Sequence, residues 1–108
     1  MAGLKWVFKD PDEVEDFVVD WTARLVPSDT IASSQWIGPD PVGINVLTDS
    51  FTNNGSYFNG TTIISNRFYT TIWLSGGTIG VKYSFTNRIM TTGGRTYDQT
   101  VSTKVKTR

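Results

Sequence analysis

The sequence predicts an all-β domain, a mostly antiparallel sandwich of about seven strands. Three observations predict it. Apolar and polar residues alternate in several short runs, and a period of two marks a strand with one face buried and one wet. Clusters of glycine, proline and asparagine punctuate those runs, as turns do. No long stretch carries a helical period. The 108 residues fit one domain, which can fold alone with little margin. At 38% hydrophobic and 19% charged the chain is globular in class, on the polar side.

Residues 1–13 read as an extended N-terminal arm ahead of a sandwich over 14–108. Trp6-Val7-Phe8 is apolar, and Asp10-Pro11-Asp12-Glu13 follows at once; a proline holds its predecessor extended. The segment is either a first edge strand packed on its own domain or an arm docked on a neighbouring subunit. Over residues 16–25, Phe17, Val19, Trp21, Ala23 and Leu25 share one face, with Val18, Asp20, Thr22 and Arg24 opposite. Pro27-Ser28-Asp29 breaks that strand. Residues 30–37 predict a second strand whose buried face the alternation leaves open, closed by Gly38-Pro39-Asp40-Pro41. Residues 43–48 predict a short strand with Ile44 and Val46 on one face.

Residues 49–66 read as an extra hairpin or loop insertion. They hold Asn54-Gly55 and Asn59-Gly60, pairs that favour tight turns because both residues tolerate positive φ. Tyr57 and Phe58 near the tip either pack back as core or touch a partner.

The last third is the most regular. Phe68, Thr70, Ile72 and Leu74 share a face, which turns Trp73 outward, and Ser75-Gly76-Gly77 turns the chain. Over residues 79–90, Val81, Tyr83, Phe85, Asn87 and Ile89 face Lys82, Ser84, Thr86 and Arg88 across the strand. Gly93-Gly94 supplies a hairpin turn. Tyr97, Val101 and Val105 line one face of residues 95–105. Trp21, Ile72, Leu74, Tyr83 and Phe85 are thus structural candidates. Gly80-x-x-Tyr83-x-Phe85 opens the sixth strand. In immunoglobulin-like domains a tyrosine-corner residue sits there, two positions before the second cysteine. Tyr83 fits that role, with Phe85 in the cysteine's place, so the sandwich is expected to be immunoglobulin-like.

Catalytic chemistry finds little to work with. The chain has no cysteine and no histidine, which excludes disulfides, thiolate zinc sites and the commonest general base. Lack of disulfides suits synthesis in a cytoplasm. Residues 10–16 carry five carboxylates on an arm with no cleft to exclude water, and Asp10-Pro11-Asp12-Glu13 is too short for a full calcium shell. No glycine-rich phosphate loop precedes a helix, and no serine sits in a nucleophile elbow. No enzyme, cofactor or metal is expected. Zero net charge argues against a nucleic-acid partner, and no apolar run reaches membrane-spanning length. Trp36 and Trp73 could form a glycan-binding face. The charge is also split: residues 1–49 carry nine acids and three bases, a net of −6, and residues 50–108 one acid and seven bases, a net of +6. Either these charges interleave on one surface, or the subunit is two-faced and can associate head to tail.

Several phrases in order carry a resemblance. They are Phe8-Lys9-Asp10-Pro11-Asp12-Glu13-Val14, Asp20-Trp21-Thr22-Ala23-Arg24-Leu25, Asp29-Thr30-Ile31-Ala32-Ser33-Ser34-Gln35-Trp36, Trp73-Leu74-Ser75-Gly76-Gly77-Thr78, Thr86-Asn87-Arg88-Ile89 and Gly94-Arg95-Thr96. Together they resemble the fiber-tail adaptor proteins of tailed bacteriophages. The resemblance covers most of the chain except residues 49–66. It implies an immunoglobulin-like sandwich at the head-to-tail junction of a virion, assembled in the host cytoplasm. There, symmetric copies would link fibers or neighbouring virion proteins to the tail. It implies no active site and no cofactor. A capsid decoration protein is the nearest alternative and a glycan-binding module the more distant one. Exposed apolar residues are the candidate partner contacts: Trp6, Val7, Phe8, Tyr57, Phe58 and Trp73.

Overall fold

The computed structural model describes Leu4–Lys5 as backbone and residues 9–107 in full. Six longer strands follow the two-residue strand β1 (Leu4–Lys5): β2 (Glu15–Asp20), β3 (Ile31–Asp40), β4 (Ile44–Phe58), β5 (Ile63–Gly76), β6 (Lys82–Thr91) and β7 (Thr96–Lys104). They form two sheets, in the orders β1-β7-β6-β3 and β2-β5-β4. The six longer strands pair antiparallel, while β1 runs parallel to β7, Leu4 beside Val101. The orders β2-β5-β4 and β7-β6-β3 correspond to the B-E-D and G-F-C sets of an immunoglobulin-like sandwich, while β1 edges the sheet beside β7 rather than beside β2.

The inward faces meet in one core. Phe17, Val19, Ile72 and Leu74 from one sheet pack against Ile31, Tyr83, Phe85, Ile89 and Val101 from the other. Strand β6 shows the alternation in pure form: Tyr83, Phe85, Asn87, Ile89 and Thr91 are buried, and Lys82, Arg88 and Met90 are exposed. The Tyr83 hydroxyl accepts a hydrogen bond from the Thr78 backbone N–H at 2.9 Å, five residues upstream, as a tyrosine corner does. Phe85 meets Trp36 edge to face, ring centroids 6.4 Å apart.

Polar groups also enter the core, Asn87 and Lys9 among them, each hydrogen-bonded. Asn87 is 0% exposed. Its Oδ1 accepts from Trp21 Nε1 at 2.9 Å and Thr70 Oγ1 at 2.6 Å, and its Nδ2 donates to Ser34 Oγ and the Gln35 carbonyl. One amide thus ties β6 to β5, to the turn after β2 and to β3. Lys9 is equally buried; its Nζ donates to the carbonyls of Asp10 and Gly76 at 2.8 Å. Its backbone joins the end of β7, where Lys9 N–H reaches the Lys104 carbonyl and Lys106 N–H reaches the Lys9 carbonyl.

Three strand limits differ from expectation. The strand expected over 16–25 ends at Asp20, whose Oδ1 accepts the Thr22 N–H and starts a turn; Arg24 and Leu25 N–H then bond to the Trp21 carbonyl. Trp21 keeps its inward place beyond the strand, 1% exposed. Strand β3 runs through Gly38-Pro39 to Asp40 rather than stopping before them. It is a sheet edge, where a proline forfeits no ladder bond. Strand β4 continues through residues 49–58, and most of 49–66 is strand in the β4–β5 hairpin. Asn59-Gly60 opens the short loop at the tip, and Asn54-Gly55 is a strand irregularity, not a turn.

Candidate interaction surface

Strand parity sets the surface. In β2 and β5 the residues Phe17, Val19, Ile72 and Leu74 point inward, so Asp16, Val18, Asp20 and Trp73 point outward. Asp16 lies directly across from Trp73, Val18 from Thr71 and Asp20 from Tyr69.

The β4–β5 hairpin is much longer than β2, and its far half turns back over this face. Both strands bend at an asparagine with positive φ, Asn54 at 55° and Asn66 at 59°. Asparagine is one of the few side chains that adopts this region readily. The ladder shifts register around Gly55, the local signature of a bulge that redirects a strand. Gly55 also passes close to its neighbours: an added Cβ would collide with Thr52 Cγ2, so no larger residue fits without a shift.

Three aromatic and polar contacts hold the bent tip. The Tyr57 hydroxyl donates to Asp20 Oδ2 at 2.8 Å. The Tyr57 and Tyr69 rings meet edge to face at 4.9 Å. The Tyr69 hydroxyl donates to the Ser56 carbonyl. Arg67 stands 3.9 Å from the same Asp20 oxygen. Burial and the bond to the Asp20 carboxylate push the Tyr57 hydroxyl pKa up to about 12, because both disfavour a second negative charge. Between the tip and β2 lies a cleft of about 480 Å³ lined by Glu15–Val18 and Tyr57–Gly60. Phe58 at its rim is 64% exposed, and Ile63 across the turn 67%.

The structure therefore groups some of the candidate contacts and separates others. Tyr57 is half-buried and spends its hydroxyl on Asp20; Phe58 stands open beside it. Trp73 is 39% exposed on the same sheet face. Trp36, paired with it as a glycan-binding candidate, belongs to the other sheet and leans on Phe85. Trp6, Val7 and Phe8 lie outside the described residues. Trp21, Ile72, Leu74, Tyr83 and Phe85 are all at or below 1% exposure. Sequence reading missed Asp20 as the anchor of the tip; its signal was an acid on the outward parity of a strand. Among the described residues no group of three or more acidic side chains could hold a metal ion.

A second fastening lies at the same end of the sandwich, in the loop that follows β2. Asp29 Oδ1 accepts the N–H groups of Thr30 and Gly93, and Arg95 reaches Oδ2 at 3.4 Å. These contacts tie the loop after residue 25 to the β6–β7 turn. Its bonds are all internal, so it organises loops rather than offering free groups to a ligand.

The profile of podophage GP4 fiber-tail adaptor protein gp77 matches residues 9–104. The chain belongs to that family. The match runs from buried Lys9 to the last residue of β7, through both sheets and the bent hairpin. The fiber-tail adaptor family is one of phage structural proteins, and this chain forms an all-β sandwich. No curated protein matches the chain.

Proposed function

We propose that the protein is a virion adaptor that links fibers, or neighbouring structural proteins, to the tail near the head-to-tail junction. The match to the fiber-tail adaptor family over residues 9–104 carries this reading. The surface supports it. A sandwich tied internally by Asn87 carries an outward hairpin tip, and an exposed apolar rim at Phe58, Ile63 and Trp73 suits protein contact better than solvent.

In this reading residues 14–108 are the body and residues 1–13 an arm, fastened to the body through β1 and buried Lys9. Trp6, Val7 and Phe8 add an apolar grip on a neighbouring virion protein, and Phe58 and Trp73 form the contact on the body. Several symmetric copies act together, and assembly takes place in the host cytoplasm.

A reconstruction of the particle tests the assignment. Density for this chain at the tail collar, touching fiber or tail proteins, is expected. Density spread over the shell would instead make it a decoration protein. Replacing Trp6, Val7 and Phe8 by serine, which spares β1 and buried Lys9, is expected to abolish incorporation while the melting midpoint stays near wild type. Incorporation that survives the replacement removes the apolar grip from the reading.

A further inference from the structure

Each outward face holds a cross-strand pair whose charge has no ion-pair partner among the described residues, negative on one sheet and positive on the other. On one, Asp16 stands directly across from Trp73. Both are exposed, Trp73 at 39%. Neighbouring strands place such a pair about 5 Å apart at Cβ, and no other described residue forms an ion pair with Asp16. A carboxylate beside an indole is a receptor for an ammonium group, through charge and through the ring face together.

On the other sheet, β6 and β7 present Lys82 opposite Lys104, both exposed. Like charges directly opposite are unfavourable in a sheet. The same strand pair shows the favourable alternative three rungs away. There Arg88 faces Asp98 and binds it through two hydrogen bonds, at 2.8 and 3.0 Å. Among the described residues no acid forms an ion pair with Lys82 or Lys104. Around them the side chains are small, Ser84 beside Ser102 and Thr86 beside Thr100, and exposed Asp40 lies across from Ser84 on β3.

We propose that copies of this chain stack head to tail, the Lys82–Lys104 pair of one copy seating on Asp16 and Trp73 of the next. The occupant follows from the charges: the acid lacks a base, the base pair lacks an acid, and the two patches lie on opposite sides of the sandwich. Such a heterologous contact repeats, closing into a ring or growing into a filament according to its rotation. The cleft between β2 and the hairpin tip borders Asp16 and widens the receiving surface. This inference deepens the multi-copy element of the proposed function, but it stands on the charge placement and not on the family match.

Sedimentation of the full chain across concentration and salt tests it. Association at low salt that weakens as salt rises is expected. Asp16→Lys, and separately the double change Lys82→Glu with Lys104→Glu, should each weaken self-association roughly tenfold or more. All three positions are exposed, so the melting midpoint should hold. Each variant keeps the patch that the other has inverted, so an equimolar mixture should associate again. A wild-type chain that stays monomeric overturns the proposal. So does association indifferent to salt, or a mixture that fails to recover. A protein found at the tail collar that fails the charge swap loses this inference alone; one that passes the swap but sits elsewhere loses only the adaptor reading.

Discussion

Asn87 and Asp20 each gather hydrogen bonds from separate parts of the chain, one at the centre of the sandwich and one on its outer face. Asn87 receives Trp21 and Thr70 and gives to Ser34 and Gln35. Asp20 receives Thr22 and Tyr57, with Arg67 nearby. The chemistry is similar and the depth is not. Around Asn87 no water can replace a lost partner, so the network decides whether the two sheets dock. Around Asp20 water can step in, so the network decides only where a hairpin tip rests. The domain thus separates a part that must not move from a part whose position can be tuned without unfolding.

The comparison breaks most visibly at its buried end. Asn87→Ala should destabilise the fold by about 3 kcal/mol, since it orphans the Trp21 Nε1–H and the Thr70 hydroxyl in the core and leaves a cavity. Domains of this size hold about 5–15 kcal/mol in total, so the urea midpoint should fall sharply. Asn87→Leu, which fills the space, should recover little, because the donors remain unpaired; full recovery by Leu would mean that packing, not hydrogen bonding, is what Asn87 supplies. Tyr83→Phe is the next step down. It leaves the buried ring in place and removes the acceptor of the Thr78 N–H, at a cost of about 1–2 kcal/mol in the same titration.

At the outer face the expected effect is local. Tyr57→Phe keeps the ring contact with Tyr69 and loses the bond to Asp20, worth about 0.5–1 kcal/mol at a half-exposed site. The unfolding midpoint should hardly move, while amide exchange in residues 54–67 should quicken. Uniform quickening across both sheets would show that the tip is coupled to the core after all.

The same contrast in depth explains what could be read from the sequence. Strand β6 was legible because one face is buried and the other wet, so its residues alternate. Strand β4 lies at a sheet edge and is exposed along most of its length; no burial selects its residues, and its run of Thr, Asp, Ser and Asn looks like a loop. Asn54-Gly55 carries the composition of a turn because a bend asks the backbone for the same positive φ that a turn does. The docking of Tyr57 on Asp20 joins residues 37 apart in sequence, a pairing that no local pattern encodes. Asn87 was placed on the inward parity correctly, yet its function as a hub needed the four partners that only the folded chain assembles. Cross-strand pairs such as Asp16 with Trp73 likewise depend on register, which alternation alone leaves free.

The smallest expected effect is a pH dependence confined to the tip. A free tyrosine ionises near pH 10, whereas Tyr57 in the folded chain holds its proton to about 12. Between these values the unfolded chain has released the proton and the folded one still keeps it, so stability falls as pH rises through this window. The contribution is fully present below about pH 10 and gone above about pH 12. Solvent screening makes it modest at a half-exposed site. Other tyrosines and lysines titrate in the same range, so the informative quantity is the difference between wild type and Tyr57→Phe. The two unfolding midpoints should differ by a constant amount up to about pH 10 and converge above it, as a late tyrosinate absorbance step, absent in the variant, appears. A difference that stays constant through pH 12 would mean that the Tyr57 ring, not its proton shared with Asp20, holds the hairpin over the sheet.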